Sequence, residues 1–321
     1  MVMYGFHFFK HLRYCRKMSF WPGMAVAIFL VYSIDAGSLF DQGNELYRQG
    51  KFEHAVKMYE QALMENANRT LVYFNMGNAW YQLNELTKAA ACYKMTVNES
   101  PDFFSGYLNL GIVLHELEDW PSTIVILEEA RTVEPRNKQV LLILSVAYKN
   151  LKIYSKAIRC LKESLVIDST QYDCYFLLYD ICQEIEDWYE AQYYLNKYPD
   201  SGNRADEKYR LLGSIAEINE DWKYAMRCYR RQIEISPNNK WAWYKMIEIT
   251  SISGKPLLAI DYARTALKRY PDFGELALMA GNIAFNNNQL DHAERFYMQA
   301  SRNGEARGLV GLQNIRKTVL Q

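Results

Sequence analysis

Alanine returns at intervals of 34 residues along most of this chain. Ala55, Ala89, Ala157, Ala191, Ala225, Ala259 and Ala293 share one lattice, and its single vacancy holds Thr123, itself small. Three further columns keep the same phase. Gly43, Gly77, Gly111, Gly213 and Gly281 form one, interrupted by Ser145, Tyr179 and Ile247. Bulky residues form the second: Phe52, Leu86, Trp120, Tyr154, Trp188, Trp222 and Leu290. The third is Pro101, Pro135, Pro237 and Pro271. Counted from Ala36, the alanine, glycine, bulky and proline positions are columns 20, 8, 17 and 32 of a unit used eight times, without a slip as far as Arg307. A fixed period of this length requires a stack of supersecondary units, because none of them can bury its apolar stripe alone.

Within a unit the apolar residues fall at helical spacing, as in Tyr73, Met76, Ala79 and Trp80, then Leu86, Ala89, Ala90 and Tyr93. Between the two runs lies a polar pair: Gly50-Lys51, Asn84-Glu85, Glu118-Asp119, Glu186-Asp187, Glu220-Asp221 or Gly254-Lys255. So short a turn makes the two helices antiparallel neighbours. Small residues at columns 8 and 20 let their backbones approach, and the bulky column 17 fills the mouth of the hairpin. Proline at column 32 ends the second helix. Eight Pro and 16 Gly in 321 residues leave few breakers for a turn-rich β fold.

These columns resemble the tetratricopeptide repeat. The resemblance is clearest in Tyr73-Phe74-Asn75-Met76-Gly77-Asn78-Ala79-Trp80, followed by Ala89, Tyr93 and Pro101, and it runs from Ala36 to Arg307. It implies an all-α fold, a right-handed α-solenoid of stacked antiparallel helix hairpins. Units one to five then occupy 36–205 and units six to eight 206–307, with a softer joint where Pro199 arrives early and Asp200-Ser201-Gly202-Asn203 lengthens the loop. Tyr179 in the glycine column must prise its helices apart or turn outward. Residues 308–321 continue at helical spacing through Leu309, Leu312, Ile315 and Val319, which suits a capping helix over the last exposed face.

The first 36 residues stand outside the repeat. Lys10, Arg13, Arg16 and Lys17 precede an uncharged run from Phe20 to Ile34, and Ala36-Gly37-Ser38 supplies small residues at its end. These are the parts of a secretory signal. Fifteen uncharged residues fall short of the ~20 that a spanning helix needs. A cleaved signal is therefore preferred to an N-terminal anchor, which would tether the chain through residues 18–34. Either way the basic flank stays inside and the repeats are exported, to the periplasm or the outer face of the cytoplasmic membrane.

Thirty-seven Lys and Arg balance 37 Asp and Glu, which argues against nucleic acid as a partner. No phosphate loop, dinucleotide fingerprint, metalloprotease helix or nucleophile elbow is present, so neither a catalytic site nor a cofactor or metal site is expected. His115 sits with Glu116, Glu118 and Asp119 at a polar helix end. Cys92, Cys160 and Cys228 share column 23 and read as small buried hydrophobes.

The family resemblance implies a groove lined by the first helix of each hairpin. Column 5 places Phe40, Phe74, Leu108, Leu142 and Phe176 on one apolar row, which Arg210 breaks. Asn44 and Asn78 at column 9 face Asn75 and Asn109 at column 6 of the following units. A carboxamide both donates and accepts, so such pairs can hold a peptide backbone without reading its sequence. The cations that clamp a terminal carboxylate in chaperone-tail-binding members are missing, since column 5 of unit one is Phe40 and column 2 of unit three is Ser105. The chain thus reads as a non-catalytic scaffold for an extended or helical peptide segment of a partner protein. With helices ~10 Å apart, units one to four span about 30 Å, or roughly nine extended residues at ~3.3 Å each. The competing reading is a solute-binding or transporter accessory protein, whose ligand would sit near Arg210, Trp241, Tyr244 and Glu248.

Overall fold

A computed structural model describes residues 38–65 and 67–320; the expected leader or anchor, including residues 18–34, lies outside them. The described residues form seventeen α-helices and no strand. The first helices of the eight units are α1 (Leu39–Arg48), α3 (Arg69–Gln82), α5 (Phe104–Glu116), α7 (Lys138–Asn150), α9 (Asp173–Glu184), α11 (Ala205–Ile218), α13 (Lys240–Ile252) and α15 (Gly274–Asn286). The second helices are α2 (Phe52–Ala62), α4 (Leu86–Glu99), α6 (Trp120–Val133), α8 (Tyr154–Ile167), α10 (Trp188–Lys197), α12 (Trp222–Ile235), α14 (Pro256–Arg269) and α16 (Leu290–Arg302). Helix α17 (Arg307–Val319) follows the eighth hairpin.

Every second helix starts on column 17, 34 residues after the one before, whereas the first helices start less regularly. The turn before the second helix explains this precision. In all eight hairpins column 15 lies at positive φ: Gly50, Asn84, Glu118, Lys152, Glu186, Glu220, Gly254 and Asn288. The next residue's N–H returns to the carbonyl five positions earlier, as in Lys51 to Leu46 and Glu85 to Trp80, both at 2.9 Å. This is a Schellman closure, which satisfies the last carbonyls of the first helix. Asp119, Asp187 and Asp221 then cap the second helix by accepting from Ser122, Glu190 and Tyr224 N–H.

Hairpins close where the small columns predict. All seven lattice alanines and Thr123 are fully buried. A Cβ on Gly43, Gly77, Gly213 or Gly281 would lie 2.6–2.7 Å from the ring of Tyr59, Tyr93, Tyr229 or Tyr297, respectively. The glycine column is therefore a seat for a tyrosine at column 24. Unit seven reverses the arrangement: column 8 is Ile247, column 24 is Ala263, and both are in the core. Tyr179 does not turn outward. It is buried, and the column-24 residue of its unit is Leu195.

The described chain divides into two compact bodies, one ending at Thr170 and one beginning at Gln171. In each, second helices pack on the first helix of the following hairpin, the arrangement of an α-solenoid. In the second body the segment 198–208 is well tied: Tyr198 Oη donates to Asn203 and accepts from Arg204 N–H, while buried Lys208 Nζ reaches Tyr198 O and Asp200 Oδ1. Helix α17 packs on α16 by only part of the expected face. Gly308, Gly311 and Ile315 are buried with Leu312 half-buried, while Leu309 and Val319 are exposed. A Cβ on Gly311 would come within 2.6 Å of Tyr297, so that ring, already seated against Gly281, admits only a glycine surface on its other side.

Candidate functional site

The first-helix face of the first body carries the expected asparagine pairs. Asn75 Nδ2 donates to Asn44 Oδ1 at 2.8 Å, and Asn109 Nδ2 to Asn78 Oδ1 at 3.2 Å. Each column-9 oxygen also accepts from a column-24 tyrosine, Tyr59 at 2.9 Å and Tyr93 at 2.7 Å. The buried tyrosines thereby fix which way the amides point. With the Oδ1 atoms of Asn44 and Asn78 engaged, their Nδ2 groups remain as donors, and Asn75 Oδ1 remains as an acceptor. Asn44, Asn75 and Asn78 are half-buried and reachable, whereas Asn109 is buried and serves packing.

The apolar row of column 5 is corrected. Phe74, Leu108 and Phe176 are buried; Phe40 and Leu142 are half-buried. Phe74 lies 5.9 Å from the Tyr93 ring and 5.1 Å, edge-on, from Phe103. Phe40 likewise meets Tyr59 at 6.0 Å. Phe40 and Phe74 thus pack against their own hairpin's column-24 ring, and column 5 offers no continuous stripe. Phe176 belongs to the second body, where it meets Tyr198 at 4.9 Å and lies under the Arg204 guanidinium at 3.6 Å.

What the face does present is column 9 continued. Beyond Asn44 and Asn78 it holds Ile112 and Val146, both half-buried, so the row passes from amide to aliphatic along the body. Tyr47 and Tyr81 line its edge; Tyr81 Oη donates to Glu116 at 2.5 Å, and burial raises the Tyr47 hydroxyl pKa. The sequence reading missed column 24, although Tyr59, Tyr93, Tyr229 and Tyr297 stand on the 34-residue spacing wherever column 8 is glycine, Gly111 with Leu127 excepted.

The face carries amides, phenols and aliphatic carbon. His115 is set edge-on to Trp120 at 5.3 Å, and burial lowers its pKa. Among the described residues no grouping of His, Cys, Asp and Glu could hold a metal ion. Cys92, Cys160, Cys174, Cys182 and Cys228 are buried. In the second body, Lys245 Nζ is shared by Glu217 at 3.1 Å and Glu248 at 2.9 Å, Trp241 stacks on Tyr244 at 5.5 Å, and Arg210 approaches Glu207 at 3.7 Å.

Residues 40–102, which span the first two hairpins, match the family model of the tetratricopeptide repeat. The remaining units keep the 34-residue phase of these two. Proteins of this family are interaction scaffolds that bind protein or peptide partners. No curated protein sequence matches this chain. Solved structures similar to it include MamA, at 17% identity over 52% of this chain and 94% of that one, TM-score 0.48. YrrB, described as a TPR protein with an unusual peptide-binding site, is 18% identical over 57% of this chain and 95% of its own, TM-score 0.49. A tetratricopeptide repeat protein from Parabacteroides merdae is 12% identical over 79% of this chain and all of its own, TM-score 0.49.

Proposed function

We propose that this protein is a non-catalytic scaffold that captures an extended peptide segment of a partner on the first-helix face of residues 38–170. The observation that carries this reading is the oriented amide row. Asn44 and Asn78 present donors and Asn75 an acceptor, held in place by Tyr59, Tyr93 and each other. A peptide backbone needs that alternation, and amides already oriented lose less entropy on binding than free ones. Ile112 and Val146 supply apolar contact farther along. The partner's polar backbone is thus placed at units one and two and an apolar side chain near units three and four. The column-5 phenylalanines are left to folding.

The small-ligand reading has less support, because the polar groups near Trp241 satisfy one another through Lys245, Glu217 and Glu248. Export, either soluble or tethered, is part of the proposal; it rests on the four cations and uncharged run ahead of Asp35. Among the described residues no helix is long and apolar enough to cross a membrane.

The test is selection of peptides from a random display library on the immobilised protein, followed by affinity measurement. Asn75→Ala and Ile112→Asp should each weaken the selected peptides at least tenfold while circular dichroism stays native. Unchanged affinity in both variants overturns the site.

A further inference from the structure

On the opposite side of the second body, the outer helices enclose a second candidate site. Helices α14 and α16 flank a cavity of about 220 Å³. Arg264 and Lys268 of α14 line it, with His292 and Arg295 of α16, over a floor of buried Leu267 and Phe296. At ~30 Å³ per water, that is room for a phosphoryl group with some of its hydration.

The charge there is only partly neutralised. Among the described residues Lys268 and Arg295 have no carboxylate partner; the one acid that pairs with a lining residue is Asp261, 3.1 Å from Arg264 and itself largely exposed. Arg264 Nη2 lies 3.1 Å from His292 Nε2, and since a guanidinium only donates, that nitrogen accepts and the ring's proton sits on Nδ1. The remaining lining residue, Gln299, spends its amide nitrogen on Pro271 O at 3.0 Å.

The repeat supplies its own controls, because the same crevice between successive second helices recurs with other contents. Between α2 and α4 its positions hold Glu60, Met64 and Lys88. Between α6 and α8 the same positions hold Arg131, Lys156 and Arg159 together with Glu128 and Glu163, and Arg131 bridges to both acids. Between α12 and α14, Arg230 is accompanied by Glu234 and Asp261. The α14–α16 crevice alone among these is lined by several cations and no acid. It also lies in the basic end of the chain: residues 222–321 hold fifteen Lys and Arg against eight Asp and Glu, although the whole chain is neutral. Such a field raises the local concentration of anions.

We propose that the crevice between α14 and α16 binds a phosphoryl dianion, with the Arg295 and Arg264 guanidiniums and the Lys268 ammonium as its ligands. Guanidinium forks match phosphate oxygens two at a time, and lysine adds a point charge. The site is separate from the peptide face and does not depend on it.

Isothermal titration of the full chain with inorganic phosphate, at ionic strength held constant with potassium chloride, tests the proposal. A second arm measures flotation with phosphatidylcholine vesicles containing one fifth phosphatidic acid. Saturable binding in either arm is expected. The phosphate arm alone would identify a free phosphate, and the vesicle arm alone a lipid headgroup. In both cases Lys268→Gln with Arg295→Gln should weaken binding at least tenfold. Arg295→Lys, which keeps the charge but loses the fork, should weaken it less than Arg295→Gln, and removal of outer-face charge elsewhere, in Lys57→Gln with Lys94→Gln, should leave it unchanged. These are exposed side chains, and circular dichroism establishes that each variant is folded. Binding equal to that of chloride, or binding that survives the Lys268 and Arg295 substitutions, overturns the proposal.

Discussion

The seat of tyrosine on glycine gives the sharpest test of why these hairpins close. In Gly77→Ala the new Cβ would lie 2.7 Å from Tyr93 Cε1 and 2.9 Å from Cδ1. Carbon atoms rest at about 3.5–4.0 Å, so the ring would have to retreat by roughly 1 Å. Tyr93 is fully buried, packed on Phe74 and hydrogen-bonded to Asn78, and cannot do so without loss. Overpacking of this kind costs ~1–3 kcal/mol, while alanine gains ~1 kcal/mol over glycine in a helix interior. Gly77→Ala alone should therefore destabilise by about 1 kcal/mol net. With Tyr93→Ala, which follows the Ile247–Ala263 exchange of unit seven, the obstacle is gone and the same substitution should stabilise by about 1 kcal/mol. The coupling is then about 2 kcal/mol, far above the ~0.5 kcal/mol scatter of independent sites. Urea unfolding followed by far-ultraviolet circular dichroism on the four proteins of the cycle measures it. An effect of Gly77→Ala that keeps its sign and size in both backgrounds would refute the seating argument.

Lys152 sits at φ +60° in a turn where two other units use glycine, so Lys152→Gly should raise stability by roughly 0.5–1 kcal/mol, seen as a higher urea midpoint. Burial pushes the thiols of Cys92, Cys160 and Cys228 up to about 11; peptide mapping after iodoacetamide at pH 8 should find them unlabelled in the native protein and labelled in urea. The Asp168 carboxyl, hydrogen-bonded first by Lys138 and then by Thr170, is drawn down from 3.8 to about 2. Its contribution to stability is therefore complete above the ordinary carboxylate range and fades as pH falls toward 2; an NMR titration should find that low value, and Lys138→Met should return it toward 4. Phe74→Ala, which empties a buried site, should cost ~3–5 kcal/mol of stability, whereas Ile112→Asp should leave the urea midpoint nearly unchanged and act on peptide capture.

Much of the hairpin was legible because it is local. The polar pair at each turn, the alanine at column 20 and the bulky residue at column 17 are set within some twenty residues, and the second helices start where that spacing says. The asparagine pairs were legible too, because a residue at column 9 and one at column 6 of the following unit keep a constant separation of 31 residues. Their orientation was not, since it depends on tyrosine hydroxyls arriving from the second helix, 15 residues beyond the asparagine that accepts them.

The one-dimensional pattern thus determined the repeat, its phase and the antiparallel hairpins. Tertiary structure decided which side chains a partner can touch. An apolar residue on a first helix looks the same in sequence whether it faces solvent or a neighbouring ring, and Phe74 proved to be core while Ile112 stayed half-open. It also decided how the array ends, with Gly308 and Gly311 in contact where Leu309 and Val319 had the better pattern. The physical reason is the same in both places: exposure depends on atoms that other segments bring into contact, and periodicity records only where a residue lies on its own helix.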